Sequence, residues 1–232
     1  MISVIIPAYN EAENIIRCLR SLQEQTLPRE EYELIVVDGN SADETRELAA
    51  AIADRVMIQT SKKVGGARND GVSAAEGTVI ATTDADCICP SDWLATIKRG
   101  FSSPDVVQMY GPVYPIEQGL NYEVSLRTIN LLSAVGYHTG ILYYTLGCNT
   151  AFRKDAFVDA GMYRCIDAGD DLEIALRLKH FGRVLWNREM KMGFSMRRYR
   201  QFGTIKSLYE WLYIVAHGGE TDKFSYSRRE YK

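Results

Sequence analysis

The 232-residue sequence lacks any apolar run near the roughly 18–20 residues that a membrane-spanning helix needs. Its N-terminus lacks a basic segment followed by an apolar one, because the short apolar run at 2–6 ends at Pro7. These absences predict a protein that is neither integral to a membrane nor led by a secretory signal.

Cysteine is scarce and scattered, and no two cysteines form a C-x-x-C pair. An odd number at wide spacing indicates neither a zinc site nor a disulfide framework, and it favours a reducing cytoplasm. We interpret Cys87 and Cys89 as small apolar core residues. The five cysteines are Cys18, Cys87, Cys89, Cys148 and Cys165.

Signatures of several protein classes are also missing. The first apolar run is followed by PAYNE (7–11), where a dinucleotide-dependent oxidoreductase would have G-x-G-x-x-G. No nucleic-acid-binding motif, internal repeat or low-complexity tract is present. We therefore expect no nucleic-acid partner.

Charge of one sign is unevenly distributed along the chain. Residues 1–176 contain 14 Lys/Arg and 25 Asp/Glu, whereas residues 177–232 contain 13 Lys/Arg and 5 Asp/Glu. A basic tail on an acidic body predicts an anionic partner, which could be a membrane surface, a phosphorylated acceptor or the body itself.

The first half alternates strand and helix signals. Capping-box-like patterns predict helices from Asn10 to about Gln25 and from Ser41 to about Ala53. The glycine-rich residues 65–75 predict a loop that leads into a short helix. Buried strands are predicted at 2–6, 33–38, 56–59, 78–84 and 105–110, and a further helix near 92–101. This order predicts an α/β fold with a mostly parallel sheet covered by helices on both faces.

The second half follows a different pattern. Residues 124–147 predict one or two helices, 170–181 a helix with two acids in its first turn, and 183–186 a strand. Residues 197–217 begin with basic residues and continue as an amphipathic helix.

Two aspartates, Asp84 and Asp86, follow the fourth predicted strand. Alternation along an extended chain would put both carboxylates on one side, where charges about 4 Å apart repel by roughly 4 kcal/mol at an effective dielectric of 20. A divalent cation relieves this repulsion and keeps positions for phosphate oxygens. The pair predicts a metal-assisted diphosphate site at the carboxyl edge of the sheet, where the ends of the first two strands should also lie.

Six segments in order resemble the family 2 glycosyltransferases, nucleotide-sugar-dependent enzymes with the Rossmann-like GT-A fold. The segments are SVIIPAYNEAENI (3–15), IVVDGNSADET (35–45), GGARNDG (65–71), TTDADC (82–87), NTAFRKDAF (149–157) and GDDLEIALRL (169–178). The resemblance implies inverting transfer of a sugar from a UDP- or GDP-sugar to a hydroxyl or lipid-phosphate acceptor, with Mg²⁺ or Mn²⁺. It further implies a donor-binding half at 1–110, an acceptor-side and catalytic half at 111–190, and a basic amphipathic segment at 191–232.

The resemblance also assigns roles to single residues. Asp86 is the expected direct metal ligand, and Asp84 assists it or contacts the ribose. Asp171 is the expected general base, with Asp170 in support, although acids in a first helical turn are also favoured by the helix dipole alone. The expected donor-binding residues are Pro7, Ala8, Tyr9, Glu11, Asp38, Arg68, Asp84 and Ala85. Asp38 is expected to read the base, and Arg68 to contact the diphosphate unless it pairs with Asp70.

Two departures limit what the resemblance implies. Asp38 precedes Gly39, where many relatives have a second aspartate, so the base is left open. The Q-x-x-R-W motif of processive members is absent, which argues against a polymer synthase.

The tail has two readings. The apolar stripe of Ile205, Leu208, Leu212 and Val215 could lie at a membrane interface, or it could pack on its own domain or at a homodimer contact. Arg197, Arg198 and Arg200 could hold a lipid phosphate or close over the donor diphosphate, and Asn149 is a further candidate acceptor contact. The expected location is the cytoplasm, on the cytoplasmic membrane face in the first reading.

The alternatives are a nucleotide-sugar-binding protein without catalysis and a sugar-phosphate nucleotidyltransferase. The presence of Asp84, Asp86 and Asp171 argues against the first, and PAYNE in place of a glycine- and arginine-rich loop argues against the second. The acceptor, whether a glycan, a lipid-linked molecule or a small molecule, is not determined by these motifs.

Overall fold

The computed structural model describes residues 1–140 and 145–217, without the side chains of residues 208, 211, 214 and 215. Residues 141–144 of the predicted 124–147 helical region and the last 15 residues of the basic tail lie outside the described residues, as do the side chains of Leu208 and Val215 in the predicted stripe. The strands are β1 (Ile2–Ala8), β2 (Tyr32–Asp38), β3 (Arg55–Ile58), β4 (Val79–Thr82), β5 (Val106–Tyr110), β6 (Val113–Pro115), β7 (Thr150–Arg153), β8 (Arg183–Trp186) and β9 (Met192–Phe194). The helices are α1 (Ile15–Gln23), α2 (Thr45–Ala50), α3 (Lys63–Ala74), α4 (Trp93–Gly100), α5 (Leu120–Thr139), α6 (Lys154–Asp159), α7 (Asp170–Leu178), α8 (Arg197–Phe202) and α9 (Thr204–Ala216).

A seven-stranded sheet organises the chain, in the order β3-β2-β1-β4-β7-β5-β8. Its strand pairs are parallel except for those of β7, which runs antiparallel to both β4 and β5. A second, two-stranded sheet pairs β6 with β9. The predicted α/β fold with a mostly parallel sheet is confirmed.

Alternation along the central strands divides the core into two layers. Val4 and Ile6 of β1 belong to one apolar cluster, together with residues of α1 and α4. Ile5, between them, belongs to the other cluster, with residues of α3, α6 and α7. Because helices cover both faces, β1 and β2 are apolar almost throughout rather than alternating with polar residues.

The two predicted capping boxes are wrong, because their polar residues tie two loops together instead. Asn10 has a left-handed backbone (φ 53°), and its Oδ1 accepts a hydrogen bond from the Ala42 N–H at 2.9 Å. The Ser41 hydroxyl donates to Asp38, and α2 begins only at Thr45. Consequently α1 begins at Ile15, five residues later than predicted.

The glycine-rich segment 65–75 is not a loop but forms most of α3. The reason is close packing on the sheet: a Cβ at Gly71 would lie 2.4 Å from Ile5 Cγ2. Glycine therefore allows α3 to approach β1 more closely than a residue with a side chain could.

The segment after β9 returns the chain to the carboxyl edge of the main sheet. Glu117 accepts hydrogen bonds from the Ser195 hydroxyl at 3.2 Å and from the Met196 N–H at 2.8 Å, immediately before α8.

None of the described helices is both long and apolar enough to cross a membrane.

Candidate active site

A buried ion bridge joins three elements at the carboxyl edge of the sheet. Arg68, inside α3, donates from Nη2 to Asp84 Oδ1 at 2.8 Å and from Nη1 to Asp170 Oδ2 at 3.4 Å. Its side chain is only 5% exposed. Burial disfavours the charged guanidinium, but Asp84 and Asp170 more than offset this and raise the pKa of Arg68. The alternative pairing of Arg68 with Asp70 is wrong, since Asp70 instead accepts hydrogen bonds from Ser61.

Glycine at position 147 makes room for this bridge. A Cβ at Gly147 would lie 2.6 Å from the Arg68 guanidinium. The same residue donates its backbone N–H to Asp171 Oδ2 at 2.8 Å, and its carbonyl accepts the Thr82 hydroxyl at 2.6 Å. Gly147 therefore connects the end of β4 with the start of α7.

The acidic pair stands at the first turn of α7, after Gly169 in a left-handed conformation (φ 85°). Asp171 accepts hydrogen bonds from the Gly147 N–H and, through Oδ1, from its neighbour Leu172 N–H at 2.9 Å. Burial and then the Asp170 carboxylate raise the pKa of Asp171 to about 7, although Arg68 acts in the opposite direction. Burial also raises the pKa of Asp170. Asp171 is thus a hydrogen-bond acceptor held in place with a pKa near neutrality.

Asp84 and Asp86 lie in a turn and not, as predicted, on one side of an extended strand. β4 ends at Thr82, and the Cys87 N–H donates to the Asp84 carbonyl at 3.0 Å. The side chain of Asp84 is 36% exposed and that of Asp86 is 24% exposed. Burial, then the carboxylates of Asp84 and Glu11, raise the pKa of Asp86 to about 7. Carboxylates that oppose one another's ionisation in a partly open cleft form a donor set that suits Mg²⁺ or Mn²⁺.

The basic segment contributes Arg197 to this cleft. Its Nη2 pairs with Glu11 Oε1 and lies 3.5 Å from Asp86 Oδ2. The positive charge of Arg198 also acts on Asp86, whereas Arg200 is exposed on α8. At least one partner of the basic tail is therefore the acidic body itself.

The carboxyl end of β1 lies beside the turn after β4, because the two strands are parallel neighbours. Tyr9 is 52% exposed and Pro7 is half-buried. Ala8 and Ala85 are buried, and the Ala8 carbonyl accepts the Gly39 N–H at 2.8 Å. Tyr9 is thus the side chain of this group that is free to stack on a ligand.

Two predicted contacts are not brought into the cleft. Asp38 is fully buried, and its carboxylate accepts hydrogen bonds from Ser41 and from Arg46 Nε and Nη2 at 3.0 and 2.7 Å, so it orders the loop after β2 instead of reading a base. Asn149 is fully buried as well. Its amide accepts from Trp93 Nε1 at 2.9 Å and donates to the backbone carbonyls of residues 112 and 190, so it is a core residue and not an acceptor contact.

The predicted set omitted Gly147, Thr145 and Tyr163. The Thr145 hydroxyl donates to the Asp171 carbonyl at 2.6 Å, and the Tyr163 ring lies under the Arg68 guanidinium at 5.7 Å. Gly147 stands two residues before the NTAFRKDAF segment (149–157), and this position is the one sequence feature that could have identified it as a site residue. Nothing local in the sequence marks Thr145 or Tyr163.

Comparison with known proteins adds the family. The model of glycosyl transferase family 2 matches residues 3–161. The chain belongs to this family. The match includes the strand ends, Arg68, Asp84 and Asp86, and it ends before Asp170 and Asp171.

Curated relatives of this family member include glycosyltransferases. The glycosyltransferase AglE of Haloferax volcanii is 41% identical over 108 residues, which are 44% of this chain and 34% of AglE. The amylovoran biosynthesis glycosyltransferase AmsB of Erwinia amylovora is 31% identical over 163 residues, 63% of this chain and 50% of AmsB. The chain therefore spans half the length of these relatives or less.

Solved structures share the fold of this family member. TarS of S. aureus (residues 1–349), in complex with UDP-GlcNAc, has a TM-score of 0.66 and 20% identity, covering 84% of this chain and 58% of that one. The mannosyltransferase PcManGT of Pyrobaculum calidifontis, in complex with GDP-Man and Mn²⁺, has a TM-score of 0.68 and 23% identity, covering 95% and 65%. At these identities the likeness concerns the fold, which is the GT-A fold that the resemblance implied.

The Arg68 bridge generates a stability prediction. We expect Arg68→Met to lower the free energy of unfolding by about 3–5 kcal/mol near neutral pH, because it leaves two carboxylates without their buried counter-charge. Without the guanidinium the pKa of Asp170 rises further in the folded state, so the folded protein takes up protons that the unfolded chain releases. The loss should therefore be smaller at about pH 5 than at about pH 8.

Denaturant unfolding at both pH values measures this difference. Arg29→Met is the matched control, because Arg29 pairs with Asp54 at the surface, where both side chains are more than 40% exposed. It should cost no more than about 1 kcal/mol. An equal loss for the two variants at both pH values would contradict the proposed role of the bridge.

Proposed function

We propose that this protein is an inverting, metal-dependent glycosyltransferase that moves a sugar from a UDP- or GDP-sugar to an acceptor. The observation that carries the proposal is the Arg68 bridge. It ties Asp84, one of the two carboxylates proposed to hold the cation, to Asp170, the neighbour of the candidate base. Donor and base functions are thereby held in one cleft.

Asp86 and Asp84 are the residues that would hold Mg²⁺ or Mn²⁺. A bound divalent cation supplies Lewis-acid stabilisation of the departing diphosphate. Arg197 lies beside Asp86 and is placed to contact a phosphate oxygen if it exchanges its Glu11 partner. Tyr9, exposed at the end of β1, offers an aromatic face to the nucleoside.

Asp171 is the proposed general base. A hydroxyl acceptor loses its proton as it attacks the anomeric carbon, and a base with a pKa near 7 suits this transfer at neutral pH. Its hydrogen bonds with the backbone of Gly147 and Leu172 fix its orientation. A phosphate acceptor is already ionised, and for such an acceptor Asp171 would position the substrate instead.

A nucleotide-sugar-binding protein without catalysis is the competing function. It would use the same donor-side residues and would have no need of a hydrogen-bonded carboxylate with a raised pKa at the start of α7. The Asp171→Asn variant separates the two functions.

We expect Asp171→Asn to lower the rate of donor hydrolysis or transfer by about 10²–10⁴-fold while donor binding is retained. The wild-type rate should increase as pH rises through about 7, because Asp171 must be deprotonated to act as a base. Turnover of UDP-GlcNAc and GDP-mannose with Mn²⁺, measured across pH, tests both statements.

Asp155→Asn is the matched control. Asp155 also stands in the first turn of a helix and accepts a neighbouring backbone N–H, at 2.7 Å, but it is exposed on α6. It should leave the rate unchanged. Donor binding without turnover in both wild type and Asp171→Asn, with every acceptor tried, would instead support a binding protein.

We expect Asp86→Asn to remove the part of donor binding that depends on the cation. In the wild type with Mn²⁺, a donor at 100 times its dissociation constant should stabilise the fold by about 2.7 kcal/mol, and the same donor concentration without Mn²⁺ should stabilise it less. Thermal unfolding with UDP- and GDP-sugars, with and without Mn²⁺, measures this effect and identifies the nucleotide. Asp92→Asn, an exposed aspartate before α4, is the control. If Mn²⁺ enhances the donor shift equally in both variants, Asp86 is not a ligand.

We further propose that α9 rests on an anionic membrane surface and that the acceptor is lipid-linked. Ile205, Tyr209 and Leu212 recur at helical spacing and are 86%, 54% and 52% exposed. Lys206 is exposed on the same helix. An apolar stripe beside basic residues is typical of helices that lie in the membrane interface.

We expect the double variant Ile205→Gln, Leu212→Gln to bind anionic phospholipid vesicles at least tenfold more weakly than the wild type in a flotation assay. Val158→Gln is the control, since Val158 is an apolar residue 47% exposed on α6. Equal flotation of all three proteins, or none by the wild type, would argue against membrane association.

A further inference from the structure

A cluster of two thiols and a carboxylate lies at the turn after β4. The ligand atoms of Asp84, Cys87 and Cys148 are all within 4.8 Å of one another. Among the described residues, no other group of three His, Cys, Asp or Glu side chains meets this criterion.

The position of the cluster gives a cation a way in. Cys87 and Cys148 are buried, at 0% and 2% exposure, whereas the Asp84 side chain is 36% exposed to the cleft. A cation can therefore reach Asp84 from the cleft and gain the two sulfurs behind it. Cys148 belongs to the short 3-10 turn Gly147–Asn149, and the backbone N–H of Gly147 in the same turn donates to Asp171.

The donor set distinguishes this cluster from the oxygen site at Asp86. Mg²⁺ prefers oxygen ligands, whereas thiolates favour Zn²⁺ and other soft cations. Zinc binds sulfur at about 2.3 Å and carboxylate oxygen at about 2.0–2.2 Å, so its ligand atoms are roughly 3.5–4 Å apart in a tetrahedral site. Separations under 4.8 Å are within reach of that arrangement after small side-chain rotations.

We propose that Asp84, Cys87 and Cys148 bind a thiophilic divalent cation such as Zn²⁺ or Cd²⁺ and leave its fourth position open toward the cleft. Each thiol releases its proton to solvent as its sulfur coordinates the cation. Two thiolates, one carboxylate and a divalent cation carry a net charge of −1, and the Arg68 guanidinium beside Asp84 offsets it. Cys87 then has two roles: it binds the cation, and it is the small apolar core residue that the sequence predicts.

Occupation of this site has a consequence for the cleft. Asp84 would be shared between the soft cation and the Arg68 bridge. If the proposed glycosyltransferase function holds, the soft cation would also compete for Asp84 with the cation that accompanies the donor. Zn²⁺ would then exclude the donor and its Mn²⁺. The binding of the soft cation itself does not depend on that function.

Cadmium titration of the full chain, reduced with a phosphine that does not bind metals, tests the site. We expect one Cd²⁺ per chain and an ultraviolet thiolate-to-cadmium charge-transfer band. Cys148→Ser and Cys87→Ser should each weaken binding at least tenfold and reduce the band. Circular dichroism and the thermal midpoint establish that each variant is folded, and Cys148→Ala replaces a serine variant that is not.

Two other thiols serve as matched controls. Cys89 is buried near the same turn, where its Sγ lies 3.9 Å from the Thr83 hydroxyl, and Cys165 is exposed. Cys89→Ser and Cys165→Ser should retain the wild-type band and affinity. No band in the wild type, or a band lost with Cys165→Ser and kept with Cys148→Ser, would overturn the proposal.

Discussion

The buried guanidinium of Arg68 is the interaction on which the rest of the cleft depends. It lies in α3, yet its two partners belong to the turn after β4 and to the start of α7. Because a buried charge without partners is costly, the three elements can only meet in an arrangement that satisfies it. The close approach at Gly147 follows from the same constraint, since any side chain there would occupy the place of the guanidinium.

The direction of β7 brings a fourth element, the turn Gly147–Asn149, to the Arg68 bridge. β7 pairs antiparallel with β4, with Thr150 opposite Thr82, so it begins where β4 ends. The turn that precedes it therefore lies at the carboxyl edge of the sheet, where Gly147 meets Asp171 and Cys148 meets Cys87. A parallel strand at this position would have presented its last residues there instead.

Two carboxylates in the cleft have a pKa raised to about 7, and their surroundings differ. Burial and the carboxylates of Asp84 and Glu11 disfavour the ionised form of Asp86, whereas Arg197 favours it. This combination favours the binding of a cation or of a mobile basic group. Burial and the Asp170 carboxylate disfavour the ionised form of Asp171, and backbone N–H groups hold its carboxylate in place. The first environment suits the binding of a metal and a phosphate, and the second suits transfer of a proton.

The sequence by itself determined the α/β class, the order of the strands along the chain, the family and the acidic residues at the strand ends, because these follow from local apolar runs and short motifs. It misplaced the starts of α1 and α2, because Asn10 and Ser41 use their side chains to join two loops that are 31 residues apart. It also misassigned Asp38 and Asn149. The Asp38 carboxylate accepts a hydrogen bond from Arg46 of the next helix, and the Asn149 amide accepts one from Trp93, which is distant in the chain. Only the tertiary structure decided that Arg68 bridges Asp84 and Asp170, that Arg197 enters the cleft and that Cys87 meets Cys148, since each of these contacts joins residues that no local pattern relates.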